Sequence, residues 1–326
     1  MKKEYDVIAL GEMLIDFTQY GSSEQGNGLF EANPGGAPCN VLALLSKLGK
    51  KTAFIGKVGA DQFGYLLRDT AANAGIDVSQ MKYDQKVPTT LAFVHTFADG
   101  DRDFSFYRSP GADMMLTAEE LDLTFLNRAS IFHFGTLSMT AQGVRHATQT
   151  AVEYARSQGL LISFDPNFRE PLWEDPKEAK TWMRYGLSIC DVLKIADNEV
   201  TFLTGIEDYD QAVEKLREEY DIPLILLTLG RDGSRAYYKD LRVEQPGFVC
   251  DTIETTGAGD TFMGTALYHL LQSEMTALDE EKLEQMLLYA NAAAALVTTK
   301  KGAIKAMPAW EEIEALVQTG RTEKTS

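Results

Sequence analysis

The sequence contains few cysteines and no long apolar run. Its cysteines are widely spaced and form no CxxC motif, so they indicate neither a disulfide framework nor a zinc site; they are Cys39, Cys190 and Cys250. The four histidines form no HExxH motif. Because no apolar stretch reaches about 18 residues, no membrane-spanning helix is expected, and the start of the chain lacks the apolar region of a signal peptide. These absences predict a soluble, cytoplasmic protein.

Positive charge is also scarce. The 326 residues include 31 Lys and Arg against 48 Asp and Glu, which gives a net charge of -17. Nucleic acid and anionic membrane surfaces both require a basic face, so neither is an expected partner. A protein this acidic that binds a phosphate ligand must gather positive groups or a divalent cation at one place. With 44% hydrophobic residues the chain can bury a large core, and its length predicts one large domain with an appendage.

Two common nucleotide-binding motifs are missing. The apolar run VIALG at residues 7–11 ends in glycine, which is typical of a buried parallel strand. No GxGxxG follows it, so the dinucleotide-binding fingerprint is absent, and the chain has no Walker A motif. Asp16 lies just past the end of this strand. It is either a turn residue, which is the commoner case, or a carboxylate that binds a hydroxyl group in a crevice.

The most informative stretch is TTGAGDTF at residues 255–262. It follows an apolar, strand-like run at residues 248–250 and precedes a helical pattern whose apolar face comprises Met263, Leu267, Leu270 and Leu271. A Gly-Ala-Gly turn at a helix start removes the side chains that would block a ligand, and it leaves backbone N–H groups without helical partners. With the helix dipole added, the stretch predicts a site for an anion or for charge that develops during a reaction.

Asp260 directly follows the second glycine of this turn. In a structural interpretation it is a helix cap or first-turn carboxylate, which requires no catalysis. In a functional interpretation it takes a proton from a hydroxyl group as that hydroxyl attacks phosphorus. The local pattern alone does not decide between them, because short glycine motifs also arise by chance.

A second glycine-rich stretch, GGAPCN, occupies residues 35–40 and precedes a helical pattern at residues 41–48. The glycine pair permits close approach of the backbone to a ligand. Asn40 offers both a donor and an acceptor to a polyol. The alternative is a glycine turn with an asparagine near the start of a helix.

Strand-like and helix-like segments alternate along most of the chain. Helical patterns, such as residues 141–158, separate apolar strand patterns at residues 52–56, 131–135, 160–165, 192–195 and 224–230. Several of these strands end in polar residues. The alternation predicts an α/β fold with a doubly wound, mostly parallel central sheet flanked by helices, and a site along the carboxyl edge of that sheet.

One part of the chain breaks this alternation. Residues 90–97 and 103–108 flank Asp99-Gly100, a strong hairpin signal, and each strand has an apolar face: Leu91, Phe93 and Phe97 in the first, Phe104 and Phe106 in the second. An antiparallel hairpin does not belong to a parallel sheet. We therefore expect a small antiparallel β lid with an apolar face for a partner subunit, formed by residues 17–33 and 90–108. The α/β catalytic domain would comprise residues 1–16, 34–89 and 109–326.

Arg108 lies at the end of the hairpin. A lone arginine is most often a solvated charge, but here it could also be a clamp that closes onto phosphate. The sequence leaves both interpretations open.

Taken together, these motifs resemble the ribokinase-like carbohydrate kinases, the PfkB family, over essentially the whole chain. Three signatures carry the resemblance: GGAPCN at residues 35–40, KVGADQFG at 57–64 and ETTGAGD at 254–260. Three matches resemble the fructokinase branch: GGAP with Asn40-Val41, FYRSPGAD at 106–113 and KKGAI at 300–304. The resemblance implies transfer of the γ-phosphoryl group of ATP to a sugar hydroxyl, here O6 of fructose.

The resemblance also implies roles for individual residues. The catalytic group would comprise the base Asp260, the anion hole Gly257, Ala258 and Gly259, and Arg169. The sugar would be held by Asp260 together with Asp16, Gly35, Gly36, Asn40, Phe106, Arg108 and Asn167. The nucleotide would lie against the anion-hole glycines and Lys194, Thr228, Gly230, Gly233 and Asn291. Glu199 would help to place Mg2+ through water, and Glu254 would lie near a site for a monovalent cation such as K+.

Two positions depart from the family pattern. The family usually has aspartate where this chain has Glu254, which keeps the charge on a longer side chain and weakens the expectation of potassium dependence. The family's Asn-x-x-Glu motif appears here as ADNE at residues 196–199, so only Glu199 carries over. Asn198 is a poor substitute for the missing amide, because a helix turns about 100° per residue and points it elsewhere.

Other functions are compatible with the same residues. The acceptor could be 2-keto-3-deoxygluconate, ribose, a nucleoside or another ketohexose, because fold and anion hole do not choose it. A sugar-binding regulator on a kinase fold is a second rival, against which the intact Asp260, Gly257 and Gly259 argue. A nucleotide-dependent dehydrogenase is least favoured, because its glycine fingerprint is missing. The apolar hairpin face predicts a homodimer.

Overall fold

The computed structural model describes residues 3–96, 102–273 and 275–320. The turn predicted at Asp99-Gly100, the position of Phe97 and the frayed end predicted at residues 322–326 lie outside the described residues, as does the side chain of Phe104.

Thirteen strands are present in the described residues. Their bounds are β1 Tyr5–Leu10, β2 Leu14–Ser22, β3 Gly28–Gly35, β4 Thr52–Gly59, β5 Ile76–Asp84, β6 Leu91–Thr96, β7 Arg102–Tyr107, β8 Ala129–Gly135, β9 Leu161–Asp165, β10 Val192–Ala196, β11 Leu224–Thr228, β12 Ser234–Tyr238 and β13 Leu241–Gln245.

The α-helices of the described chain alternate with most of these strands. They are α1 Ala37–Lys47, α2 Gln62–Asn73, α3 Leu123–Leu126, α4 Gln142–Ser157, α5 Pro176–Ile189, α6 Asp197–Thr204, α7 Tyr209–Glu219, α8 Ala258–Leu270, α9 Glu280–Val297 and α10 Trp310–Thr319. Within the described ranges, no helix combines the length and the apolar character needed to cross a membrane.

The large sheet has nine strands in the order β13-β12-β11-β10-β9-β8-β1-β4-β5. The strands from β11 to β5 pair in parallel, whereas β12 pairs antiparallel with both of its neighbours, β11 and β13. Successive residues of β1 enter two separate cores: Val7 and Ala9 pack with α1, α8 and α9, whereas Ile8 and Leu10 pack with α4 and α5. Strand side chains alternate between the two faces of a sheet, so these two cores lie on opposite faces and helices cover both faces of the large sheet. The predicted doubly wound, mostly parallel fold is confirmed.

The order of the strands reverses at β1. The chain first adds β4 and β5 on one side of β1 and then β8 to β13 on the other. In open α/β sheets, a crevice for ligands forms beyond the carboxyl ends of the strands at such a switch point. A small cavity lies there, about the size of one water molecule, lined among others by Glu12, Gly135, Thr136, Asp165 and Asn167.

A second sheet stands beside this crevice, in the order β3-β2-β6-β7. It begins four residues after β1 ends, so β2 leaves directly from the carboxyl edge of the large sheet. Strand pairing places Phe17 beside Phe93, and their rings stack at 4.8 Å. Ala92 pairs with Phe106, one position along β6, so Phe106 lies on the opposite face from Phe93. The small sheet therefore has an outer aromatic face and an inner face that carries Asp16.

One strand prediction is wrong. Residues 248–250, an apolar run, form no strand; β13 ends at Gln245 and irregular chain leads to α8. Pro246 lacks the N–H that a central strand would need, and Gly247 adds a flexible position directly after it. Phe248 nevertheless packs in a small core beside α9 and α10, whereas Val249 is exposed.

Asp61, within the KVGADQFG motif, ties the small sheet to the large one. Its carboxylate caps α2 by accepting the N–H of Gly64 at 2.8 Å. It also accepts the N–H and the hydroxyl of Thr89, each at 2.8 Å, two residues before β6 begins. These bonds hold the pKa of Asp61 below its ordinary value even though partial burial acts in the opposite direction. Through Asp61 the motif thus has a structural role, because it connects α2 to the chain that enters the small sheet at β6.

Replacing Asp61 by alanine should destabilise the protein. We expect Asp61→Ala to lower the free energy of unfolding by about 2 kcal/mol, because it removes a helix cap and leaves buried donors of Thr89 unpaired. Urea denaturation measures the loss. Asp69→Ala on the same helix is the control, since Asp69 is exposed and pairs only with its neighbour Arg68, so a change within about 0.5 kcal/mol is expected. Equal losses in both variants would contradict the assignment.

Candidate active site

The turn before α8 has the backbone that an anion site requires. Gly257 caps the helix with φ 79°, a left-handed conformation that favours glycine. A Cβ at Gly257 would lie 2.9 Å from Cβ of Ala303, and a Cβ at Gly259 would lie 3.0 Å from Nζ of Lys194. Position 257 therefore needs glycine for both its backbone conformation and space, whereas a side chain at position 259 would press on the Lys194 ammonium. The first turn of α8 brings the positive end of the helix dipole beside the Lys194 ammonium, while the N–H of Ala258 within that turn donates to the carbonyl of Thr255 at 3.2 Å.

Asp260 is buried in this first turn and held by two amides. Nδ2 of Asn40 donates to its Oδ2 at 2.8 Å, and Nδ2 of Asn167 donates to its Oδ1 at 3.2 Å. Asn40 lies in the first turn of α1, and Asn167 follows β9 with φ 47°. Three distant parts of the sequence thus meet at one carboxylate. Within the described chain, Oδ1 of Asn40 is buried without a hydrogen-bond partner, so it can accept a hydroxyl of a ligand.

The environment of Asp260 raises its pKa to about 6. Burial is the main cause, and the nearby carboxylate of Asp165 adds to it; the hydrogen bond from Asn40 and the charges of Lys194 and Arg169 act in the opposite direction. A carboxylate with a pKa near neutrality is a better proton acceptor than an ordinary aspartate, and it is still ionised at pH 7. The geometry and the pKa both suit a general base.

A buried cluster of charges lies next to Asp260. Lys194, in β10, pairs with Asp165 at the end of β9, with Nζ 3.1 Å from Oδ2. Burial alone would lower the pKa of Lys194, but three carboxylates outweigh burial and raise it; they belong to Asp165, Glu199 and Asp260. Lys194 therefore stays charged beneath the anion turn. The sequence pattern did not single out Asp165 as a site residue, although its place at a strand's carboxyl end was the available signal.

Glu199 lies in the first turn of α6 and is buried. Its Oε1 accepts the N–H of Phe168 at 2.7 Å, and its Oε2 accepts the N–H of Ala196 at 2.8 Å. Burial raises its pKa, and the charge of Lys194 opposes this effect. Both carboxylate oxygens of Glu199 thus accept backbone N–H groups, and a contact with Mg2+ through water stays a prediction. Over the ranges that the structure describes, no group of three or more His, Cys, Asp or Glu side chains is arranged to hold a metal ion.

Asp16 faces the same crevice from the small sheet. Burial raises its pKa to about 7; the charge of Arg169 opposes the shift, and the charges of Glu254 and Asp260 add to it. A Cβ at Gly35, its neighbour in β3, would lie 2.9 Å from Oδ2 of Asp16. Gly36 has φ 134°, and a Cβ there would meet the carbonyl oxygen of Glu12 at 2.3 Å. The glycine pair thus makes room for Asp16 and for the close packing at the end of β1.

The two predicted arginines differ in their surroundings. Arg169 is exposed, and its charge acts on both Asp16 and Asp260. Arg108 is buried: its Nε donates to Asp113 at 2.8 Å, and its other nitrogens donate to Thr140 and to the carbonyl of Leu137. The interpretation of Arg108 as a solvated charge is therefore wrong. Its contacts fasten the end of β7 to the core, and contact with a ligand stays a prediction.

The predicted nucleotide residues lie at the carboxyl ends of β11 and β13. Thr228 ends β11 and is half-buried, and Gly230 and Gly233, both with positive φ, flank the short turn after it. A Cβ at Gly233 would meet the carbonyl oxygen of Gln245 at 2.1 Å. Asn291 in α9 accepts from Ser234 and donates to the carbonyl of Gln245, each at 2.9 Å. Its amide joins α9 to this edge, and a nucleotide contact stays a prediction.

Residues 5–310 match the family described as pfkB family carbohydrate kinase. The chain belongs to that family. It is 41% identical over 304 residues to a probable fructokinase-2 from Arabidopsis thaliana, which covers 93% of this chain and 92% of that protein. It is 40% identical over 314 residues to fructokinase-1 from Zea mays, with 96% and 97% covered.

Solved structures of this family match the fold closely. Fructokinase from Xylella fastidiosa with bound ATP has a TM-score of 0.87 and 31% identity, covering 97% of this chain and 99% of that one. A putative ribokinase II from E. coli in complex with ATP and Mg2+ has a TM-score of 0.85 and 26% identity, with 97% and 100% covered. A double mutant of fructokinase from Vibrio cholerae O395 was solved with fructose, ADP and potassium ion bound, with a TM-score of 0.86, 28% identity, and 97% and 99% covered. The predicted family is confirmed, and the protein is a sugar kinase, a phosphotransferase.

Replacing Asp260 by asparagine should separate catalysis from stability. We expect Asp260→Asn to lower kcat by about 10²–10⁴ or more, because the proton acceptor is lost. The raised pKa of Asp260 means that its ionised form weakens the fold above pH 6, by roughly 3 kcal/mol, so the neutral variant should be at least as stable as the parent at pH 8. The unpartnered Oδ1 of Asn40 can accept the new amide after a flip.

Steady-state kinetics and urea denaturation at pH 8 measure both effects. Asp175→Asn is the matched control: Asp175 caps α5 from an exposed position, where asparagine is an equally good cap, so neither kcat nor stability should change. Activity of Asp260→Asn close to that of the parent would remove Asp260 from the role of base.

Proposed function

We propose that this protein transfers the γ-phosphoryl group of ATP to O6 of fructose. The observation that carries the proposal is the buried carboxylate of Asp260, held by two amides in the first turn of a helix whose start is built of glycine. The choice of fructose is supported by the identity of about 40% to proteins named fructokinases over nearly the full length of both chains.

In this reaction each requirement of phosphoryl transfer has a candidate residue. Asp260 accepts the proton of the attacking hydroxyl, and Asn40 orients the sugar through its unpartnered Oδ1. Asp16 binds a further hydroxyl from the opposite side, with Gly35, Gly36, Phe106 and Asn167 shaping the pocket. The N–H groups of the α8 start and the charge of Arg169 stabilise the negative charge that builds up on the transferred group.

ATP with Mg2+ supplies the phosphoryl group and neutralises its charge. The cradle formed by Gly257 and Gly259, with Lys194 beneath it, suits the phosphates. Thr228, Gly230, Gly233 and Asn291 would line the remainder of the nucleotide site, and Glu199 would hold Mg2+ through water. A related kinase solved with ATP and Mg2+ supports this choice of ion. The monovalent cation predicted near Glu254 has less support, because both oxygens of that carboxylate already accept hydrogen bonds.

A release assay for ADP over several sugars tests the acceptor. We expect kcat/KM for fructose to exceed that for ribose, 2-keto-3-deoxygluconate, a second ketohexose and adenosine by about tenfold or more, because hydrogen-bonding pockets reject a mismatched polyol. The Asp260→Asn protein, purified in parallel, controls for contaminating kinases. A higher kcat/KM for another acceptor would replace fructose. No turnover with any sugar, together with a sugar-dependent rise in melting temperature, would favour the binding regulator.

We also propose that the small sheet acts as a lid and as the contact between two copies of the chain, with residues 17–33 and 90–108 as the lid and the remainder as the catalytic domain. The support is its outer aromatic face, where Phe93 touches Phe17, Phe30 and Tyr107. Tyr107 is 66% exposed and Phe30 45% exposed. Aromatic groups clustered on an exposed sheet face are typical of an interface.

Sedimentation at micromolar concentration tests the contact. We expect a dimer for the parent, and we expect Phe30→Glu to shift it to a monomer, because a charge would be buried in the aromatic cluster. Val249→Glu is the control, since Val249 is 49% exposed but lies outside the small sheet. A monomeric parent protein, or a dimer that survives Phe30→Glu unchanged, would contradict the interface.

A further inference from the structure

The segment after α9 packs directly against the anion turn. The N–H groups of Ile253 and Glu254 donate to the carbonyl of Thr298 at 2.8 and 3.0 Å. Further along the segment, the Cβ of Ala303 is the atom that a side chain at Gly257 would meet. The position of residues 298–303 therefore decides where the first turn of α8 can lie.

Glu254 joins this segment to the turn through both of its oxygens. Its Oε1 accepts the hydroxyl of Thr256 at 2.6 Å, within the turn itself. Its Oε2 accepts the N–H of Gly302 at 3.1 Å, from the segment after α9. The side chain is buried, so both hydrogen bonds are shielded from water. A single carboxylate thus bridges the two pieces of chain that define the anion hole.

The same segment touches the small sheet. A Cβ at Gly302, which has φ 77°, would lie 3.1 Å from Oδ1 of Asn33 in β3, and Nζ of Lys301 lies 5.0 Å from the ring centre of Tyr20 in β2. Glu254 therefore also connects the anion turn, through Gly302, to the sheet that carries Asp16.

The donor set around Glu254 does not fit a monovalent cation. Potassium is held by several oxygen atoms, commonly backbone carbonyls, that point at the ion. Here the segment after α9 presents the N–H of Gly302, the positive end of a peptide dipole, to the carboxylate. An aspartate would be shorter by ~1.5 Å, one C–C bond, and could not make both contacts from the same backbone.

We propose that Glu254 is a positioning residue that fixes the anion turn by two direct hydrogen bonds, so that phosphoryl transfer by this protein does not depend on a monovalent cation. The proposal rests on the proposed kinase function. In this proposal the side chain of Glu254, and not a bound ion, connects the turn before α8 to the segment after α9.

Activity with and without KCl tests the proposal. In choline chloride and in KCl of equal ionic strength, the parent protein should phosphorylate fructose at rates that differ by less than about twofold, a change of ~0.4 kcal/mol. Glu254→Asp should lose about tenfold or more in kcat, because buried donors lose their acceptor. It should regain part of that loss in KCl, since the shortened side chain leaves room for an ion. Activation of the parent by KCl of about tenfold or more would overturn the proposal.

Glu254→Gln distinguishes hydrogen bonding from charge. Glutamine can accept the Gly302 N–H through its oxygen and donate to the Thr256 hydroxyl through its nitrogen, so both bonds persist without the charge. We expect this variant to lose less than about fivefold in kcat and to stay insensitive to KCl. A loss as large as that of Glu254→Asp would show that the charge is needed, which contradicts the proposal.

A measurement that needs no sugar keeps this test separate from that of the proposed function. Melting temperature in KCl and in choline chloride should coincide for the parent protein, because no ion is bound, and it should rise in KCl for Glu254→Asp. If fructose is not the acceptor, the phosphorylation rates give no information about potassium, but the melting temperatures still test whether the parent protein binds the ion. A rise of the parent's melting temperature specific to KCl would overturn the proposal.

Discussion

The candidate active site is organised around the carboxylate of Asp260, which is buried at the start of a helix. Burial removes water from the charge, and the amides of Asn40 and Asn167 replace only part of that hydration. The resulting rise in pKa makes the group a better proton acceptor and makes the folded protein less stable at neutral pH than it would be with a neutral side chain. In the proposed reaction, stability given up at this position is the source of the reactivity of Asp260, a trade that active sites commonly show.

An acidic protein that handles phosphate must concentrate its positive charge. With a net charge of -17, the chain repels anions at long range, so the site relies on local groups. Lys194 provides one such group because Asp165 pairs with it and keeps it ionised in a buried position. The missing side chain of Gly259 then lets the helix start approach this ammonium. The anion site is therefore a joint product of a glycine, a buried ion pair and a helix end.

The sequence predicted the parts of the site whose chemistry is local, and it could not predict the parts that depend on distant contacts. The glycine turn, Asp260 and Asn40 could be named from motifs because their backbone and side-chain requirements lie within a few residues. The pair of Asp165 and Lys194 joins two neighbouring parallel strands, and no local pattern specifies that register. Likewise, the burial of Arg108 depends on Asp113, Thr140 and Leu137, which the fold brings together. The strand expected at residues 248–250 is also absent, because a short apolar run does not by itself specify a strand and Phe248 packs instead against α9 and α10.

Burial raises the pKa of both carboxylates of the crevice, Asp16 and Asp260; the charge of Asp260 adds to the shift of Asp16, and Arg169 opposes the shift of each. In the proposed reaction a bound sugar displaces water from between them, which by itself would push both groups further toward the neutral form. The same loss of water lowers the local dielectric constant. The attraction of Arg169, which is exposed to water without sugar, for both carboxylates therefore grows. We therefore expect Arg169 to act more strongly on both carboxylates when sugar is bound than when it is absent. In the proposed reaction this coupling would keep Asp260 ionised at the moment when it must accept a proton.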